Sequence, residues 1–173
     1  MREMKFQAYW KEKGIMLGVS SIDFSTYVSD GKSSNLSRFY TLDDYEDKSN
    51  YIPKGTNFNL YLDEVEIRQY TGLKDRNGKE IYKGDIVKRN FEIGRVVINP
   101  ISLGAEDYEI DDSGYFIGVV SYRPSEGYVL NKCKKFNDDD ELQSKKSGVK
   151  IYPNHAEVIG NIYENPELLE KAQ

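Results

Sequence analysis

GLKDRNGKEIYKGDIVKRN, running from Gly72 to Asn90, decides how the rest of the chain reads. Asn77-Gly78 is the strongest short-range hairpin signal a sequence offers, since both residues tolerate the positive φ of a type I′ turn. Lys83-Gly84-Asp85 marks a second turn. Ile86-Val87-Lys88-Arg89 then starts a strand, Asn90 to Gly94 reads as a turn, and Arg95-Val96-Val97-Ile98-Asn99 pairs back. Strand and tight turn alternate throughout, which is folding hardware rather than a loop built for chemistry.

Working outward, Lys5–Trp10 alternates, with Phe6, Ala8 and Trp10 on one face. Lys11–Gly14 turns, Ile15–Val19 returns, and Ile22–Val28 adds a third strand. Ser29–Asn35 has loop composition. Thr41-Leu42-Asp43-Asp44 is predicted to cap a short helix through Asp47, a hydroxyl and acids facing the exposed amides. Phe58, Leu60 and Leu62 share one parity while Val65 and Ile67 hold the other, so the buried face must switch near Asp63-Glu64. Downstream, Tyr115–Val120 is apolar on both parities and predicts a central strand, followed by Tyr128-Val129-Leu130. Asp107–Gly114 and Asn131–Gly148 are polar and predict an acidic loop and an exposed insertion. Val149–Tyr152 and Ala156–Ile162 return as strands. Asn165-Pro166-Glu167 opens a helical turn. The expected fold is mainly β: one or more small antiparallel barrels with tight hairpins, little helix and a short C-terminal helical turn. The expected division is an N-terminal β region over 1–68 and a barrel-like region over 69–173, separate or continuous, with the polar insertion around 131–148.

Composition fits that reading. Among 173 residues, 14 Tyr against 7 Phe suit strands with one buried and one wet face. The net charge of −5 argues against a protein that grips duplex phosphate. One cysteine, Cys133, excludes an intrachain disulfide and agrees with a reducing cytosol. There is no apolar run of the ~20 residues a membrane span needs and no apolar signal core at the N-terminus. A cytoplasmic protein is expected.

Three segments carry a family resemblance. Gln69-Tyr70-Thr71-Gly72-Leu73-Lys74-Asp75, Asn77-Gly78-Lys79-Glu80-Ile81-Tyr82 and Gly84-Asp85-Ile86-Val87 together resemble the signature of the YopX family. Lys5–Trp10 resembles its opening strand, and Val158–Leu169 its ending. Gln7 departs from the Arg expected at that place. The resemblance implies a protein encoded by a phage or prophage and working in a bacterial host. It carries over no catalytic or binding residue.

Candidate site residues concentrate between Arg68 and Arg95, where eight cations stand against four acids, a balance of +4 that leaves −9 for the rest. Arg68, Lys74, Arg76, Lys79, Lys88, Arg89 and Arg95, interleaved with Tyr70 and Tyr82, would form a face able to stack bases and meet phosphate; the plainer reading is a wet strand face. Asp107–Gly114 lacks the glycine and glutamate positions of a calcium loop, and Asp138–Glu141 is a run of solvated charge. His155 is the sole histidine, so no zinc cluster is expected. Lys132 and Lys134 flank Cys133 and would lower its pKa, yet nothing local pairs it with His155 as a nucleophile. No cofactor, metal or catalytic residue is expected. The expected role is non-catalytic: binding a protein partner, of phage or host, or another copy of the chain, with nucleic-acid binding through the basic face as the alternative.

Overall fold

The computed structural model describes residues 4–29, 32–46 and 51–170, and within them the side chains outside 23–36 and 45. The chain is mainly β and divides into two compact units, 1–72 and 73–173, each with its own apolar cluster. Its strands are β1 (Phe6–Trp10), β2 (Ile15–Ser29), β3 (Lys32–Thr41), β4 (Tyr45–Glu46), β5 (Tyr51–Ile52), β6 (Asn57–Tyr61), β7 (Val65–Lys74), β8 (Glu80–Tyr82), β9 (Asp85–Ile98), β10 (Ala105–Arg123), β11 (Gly127–Phe136), β12 (Leu142–Lys146), β13 (Val149–Lys150) and β14 (Ala156–Asn161).

The first unit is an antiparallel sheet in the order β6-β3-β2-β1-β7. Its first hairpin turns where expected: Gly14 takes φ 68°, and its N–H donates to the Trp10 carbonyl at 2.8 Å. Ala8 and Trp10 point into a cluster with Leu17, Phe39, Leu60 and Val65. The predicted change of face at Asp63-Glu64 is real, since β6 ends at Tyr61 and β7 begins at Val65. Two expectations fail. β2 runs on to Ser29 and β3 already includes Lys32–Asn35, so the predicted loop is mostly strand; Asp30 and Gly31 lie outside the described residues. The predicted helix at 41 is absent over its described part, and Asp47 lies outside the described residues. Thr41 ends a strand instead, its Oγ1 donating to the Pro53 carbonyl at 2.7 Å and accepting the Thr56 N–H at 3.1 Å. Asp44 accepts the Lys54 N–H at 2.7 Å. Both would-be capping groups are tied to another turn.

The second unit is an antiparallel sheet in the order β12-β11-β10-β9-β14, with β13 also on β11 and β8 paired with the end of β7. β10 is central as predicted, and Phe116 and Val120 bury against Val87, Leu130, Ile151 and Val158. The opening stretch forms its two turns, with one change of type. Gly78 takes φ 81° while Asn77 does not take a positive value. The turn is a three-residue loop, closed by Asp75 N–H to Lys79 carbonyl at 2.8 Å and Gly78 N–H to Asp75 carbonyl at 2.9 Å. This is a type I turn followed by a left-handed glycine. Gly84 (φ 87°) matches the third position of a type II turn.

Other predictions in this unit are corrected. Asn90–Gly94 does not turn: β9 is continuous to Ile98, and Gly94 is there for space, since a Cβ would sit 2.7 Å from the Tyr108 ring. Asp107–Gly114 is strand, its acids drawn into the β9–β10 ladder. Asn131–Gly148 is mostly β11 and β12, with Cys133 and Phe136 buried, rather than exposed throughout. The C-terminal helical turn is only a 3-10 turn, Pro166–Leu169, because Asn165 makes no cap; its Oδ1 faces the Asn161 N–H at 3.4 Å. No barrel closes among the described residues. Closure needs the outermost strands of a sheet to pair, but β6, β12 and β14 each have a single neighbour. No helix of the described residues is long and apolar enough to cross a membrane.

Candidate functional site

The residues that resembled a family signature are turn pins. Asp75 is buried, and its carboxylate accepts N–H groups from Asn77 and Lys79 on Oδ1 and from Val158 on Oδ2, all at 2.9 Å. Desolvation pushes its pKa up, but these three bonds outweigh it and hold the carboxyl below its usual value. Asp85 accepts the Tyr82 N–H at 2.7 Å. Gly84 donates to the Val120 carbonyl at 2.8 Å and accepts the Ile162 N–H at 3.0 Å, which ties the second turn to β10 and the C-terminal segment. Asn161 accepts from the Tyr163 and Glu164 N–H groups, each at 3.0 Å. These groups are engaged by backbone donors.

The nine predicted binding residues are divided between the two units. In the first unit, Arg68 and Tyr70 are buried. In the second, Arg76 is paired with Glu157, and Arg95 with Glu109 at 2.8 Å. Tyr82 is buried and donates to Glu80 at 2.7 Å. Lys88 lies 3.9 Å from the Tyr115 ring centre. Lys74 and Lys79 are exposed. Arg89 lines a cleft.

That cleft has a volume of about 770 Å³ and lies within the second unit. Its floor is aromatic: Phe91 and Phe116 lie with centroids 5.0 Å apart. The Arg89 guanidinium carbon is 5.0 Å from both the Phe116 and the Tyr152 ring centres. Lys135 stands over Phe91 at 4.8 Å and pairs with Asp112 at 2.5 Å, while Lys146 lies 6.0 Å from the Phe116 centre. His155 and Glu92 sit exposed on the rim. Burial pulls the Arg89 pKa below its ordinary value. One residue of this cleft stands among the candidates: Arg89, expected on a basic or wet strand face, is buried with Val87, on the same strand parity. Phe116, Lys146 and Tyr152 come from distant segments, and no local signal groups them.

Catalytic chemistry gains no support from Cys133. The flanking lysines do not lower its pKa. Desolvation raises it to about 11, and its Sγ donates to the Leu130 carbonyl at 3.1 Å. The acid run after β11 is also engaged: Asp138 meets the Ser113 hydroxyl, and Asp140 accepts from the Tyr115 hydroxyl at 2.6 Å.

The other conspicuous feature is an arm. β14 pairs with β9 only over Asp85–Arg89, and β11 with β10 only over Tyr115–Arg123. Beyond those limits β9 and β10 pair with each other alone, a two-stranded ribbon about 30 Å long at ~3.3 Å per residue. Register places Val96 opposite Tyr108 and Gly94 opposite Ile110, with Ile98 on the same face. Val96, Ile98, Tyr108 and Ile110 are each more than half exposed, and Ile101 at the tip is 93% exposed. The opposite face carries Arg95 opposite Glu109 and Val97 opposite Asp107.

Comparison with known proteins agrees with the resemblance. The family model described as YopX protein matches residues 5–170. The crystal structure of protein EF1440 from Enterococcus faecalis is similar to this chain at 23% identity, covering 98% of this chain and 99% of that one, with a TM-score of 0.45. No curated protein matches the chain.

Proposed function

The chain belongs to the YopX family, and we propose that it is a non-catalytic interaction protein that associates with a second copy of itself through the β9–β10 arm. One observation carries this reading: a ribbon of two strands exposes an apolar face that none of the described residues of its own unit covers. Two-stranded ribbons are marginal alone in water, and contiguous exposed apolar surface marks contact sites. The occupant follows from charge. The apolar face itself bears no charge over Gly94, Val96, Ile98, Tyr108 and Ile110, whereas the opposite face carries the Arg95–Glu109 ion pair and Asp107 beside Val97. Two such ribbons meet apolar face to apolar face with their charged groups turned outward, which suits a symmetric contact using one patch twice. The face measures roughly 30 Å by 10 Å. That is small beside the ~800 Å² per partner of a standard interface, so the association is weak and concentration-dependent.

The basic-face reading has less behind it. Arg76 and Arg95 are paired with acids and Arg68 is buried, which breaks the run of cations that a continuous phosphate-tracking face needs.

The test is light scattering after gel filtration, from about 5 to about 500 μM, concentrations that bracket a weak contact. Mass should rise with concentration, and V96E/I110K should stay monomeric with an unfolding midpoint within ~0.5 kcal/mol of the parent, as exposed substitutions do. A parent monomeric throughout, or a double variant that associates equally, sinks the reading. Titration with labelled single- and double-stranded DNA at ~50 and ~200 mM salt addresses the alternative, because phosphate-driven binding must weaken with salt.

A further inference from the structure

Arg89 poses a problem that its own unit does not solve. The side chain is 8% exposed. Its guanidinium makes one long hydrogen bond, Nη1 to the Lys150 carbonyl at 3.3 Å, and its buried Nε has no partner. Among the described residues no carboxylate forms an ion pair with it. A buried cation is costly unless it is paired. The flanking Phe116 and Tyr152 rings offset part of that cost through their π faces, but rings accept no N–H hydrogen bond in the guanidinium plane. The unmet need is for an anion.

The surroundings say what kind. Lys146 adds a second cation without a paired acid among the described residues, whereas Lys135 is already neutralised by Asp112. Phe91 and the half-exposed Tyr152 offer ring faces for stacking. A volume of about 770 Å³ lies in the range of small-molecule sites. Inorganic phosphate would meet the cations and leave the rings bare, and an uncharged ring would do the reverse.

We propose that this cleft binds a ligand that joins a flat ring to a phosphate, with the phosphate held by Arg89 and Lys146 and the ring stacked on Tyr152 or Phe91. Nucleoside monophosphates are the class that supplies both parts, either free or as one nucleotide of a single strand. The site is separate from the arm's apolar face and does not depend on self-association.

The experiment is calorimetric titration of the full chain with AMP, GMP, CMP and UMP, beside adenosine, inorganic phosphate and a short single-stranded oligonucleotide. At least one monophosphate should bind about tenfold more tightly than adenosine or phosphate alone, as stacking and charge each contribute at about that scale. Tyr152→Ala and Lys146→Gln alter exposed side chains and should each weaken binding by about fivefold or more with the fold intact. Lys54→Gln, in the other unit, should change nothing. Arg89→Lys is informative if it folds, since it keeps charge and loses the planar fork; the two exposed variants decide the matter if it does not. An oligonucleotide tighter than every monophosphate assigns the source to a strand, and the reverse order to free nucleotide. No binding by any monophosphate or by the oligonucleotide overturns the proposal. So does binding that Tyr152→Ala and Lys146→Gln leave untouched, or phosphate binding as tightly as the nucleotides.

Discussion

The base of the second unit and the arm that extends from it are parts of the same two strands, yet they obey different rules. At the base, β9 and β10 are flanked by β14 and β11. There Ile86 and Val87 are fully buried, and buried carboxylates fix the turns. Along the arm the same strands have only each other, and their large apolar side chains stand in water. The base spends its distinctive residues on holding backbone; the arm holds its residues in reserve. The turn-fixing residues therefore sit where the fold is made, and the apolar contact face where the fold imposes least. If that contrast is right, substitutions at the base should cost global stability, and equally severe substitutions in the arm should not.

The largest effect is expected at Asp75. Replacing it by alanine leaves three N–H groups without their acceptor, one of them the buried Val158 amide. Hydrogen bonds to charged groups contribute roughly 1.5–3 kcal/mol each, and two of the three amides can turn to water, so Asp75→Ala should cost about 3 kcal/mol in urea unfolding at pH 7. The carboxyl also carries a pH signature. Its folded pKa lies below the usual value, so its contribution is complete above the unfolded pKa of ~3.9 and fades as pH falls through the folded one. Parent and variant should converge in stability below about pH 4. Parallel curves down to pH 2 would show that Asp75 acts through shape alone.

Next comes Gly118, in the central strand. A Cβ there would lie 2.6 Å from the Cys133 sulfur and 3.1 Å from the Asn131 carbonyl oxygen. The sulfur is buried and has nowhere to go. Gly118→Ala should cost about 2 kcal/mol, within the usual range for overpacking. Pairing it with Cys133→Ala should recover part of the loss, because the two sites share one volume. Strict additivity would place the clash elsewhere.

How much of this was legible in the sequence depends on whether the cause is local. Gly14, Gly78 and Gly84 mark turns because a positive φ is a demand on one residue, and so the tight hairpins could be placed in advance. The type at Asn77-Gly78 could not, because it is set by the Asp75 carboxylate holding the Asn77 and Lys79 amides. Gly94 looked like a turn and is a seat for the Tyr108 ring, a fact about the partner strand. Thr41 and Asp44 looked like helix caps and serve a turn a dozen residues on. Barrel closure hinges on which edges find each other, and no window of sequence records that. The cleft shows the same limit: Arg89 stood among the candidate residues, but its meaning lies in Phe116 and Tyr152, which only the folded sheet brings to it.

The smallest global effect, and the sharpest test of the contrast, belongs to Gly94. Its geometry is as tight as that of Gly118: a Cβ would meet the Glu109 carbonyl oxygen at 2.5 Å and the Tyr108 ring at 2.7 Å. Steric cost alone would rank the two alanine variants together. Location separates them, because a ribbon held by a single ladder opens locally, and a local opening caps what a clash within it can cost. Gly94→Ala should therefore shift the global unfolding free energy by less than about 0.5 kcal/mol. Amide exchange should accelerate from Ile93 to Ile98 and across the strand from Asp107 to Ile110, while Ile86, Val87 and Val120 keep their protection. A global loss matching that of Gly118→Ala would mean that the arm folds as one body with the base. The apolar face would then be part of the core's own cooperative unit rather than a surface held ready for a second copy.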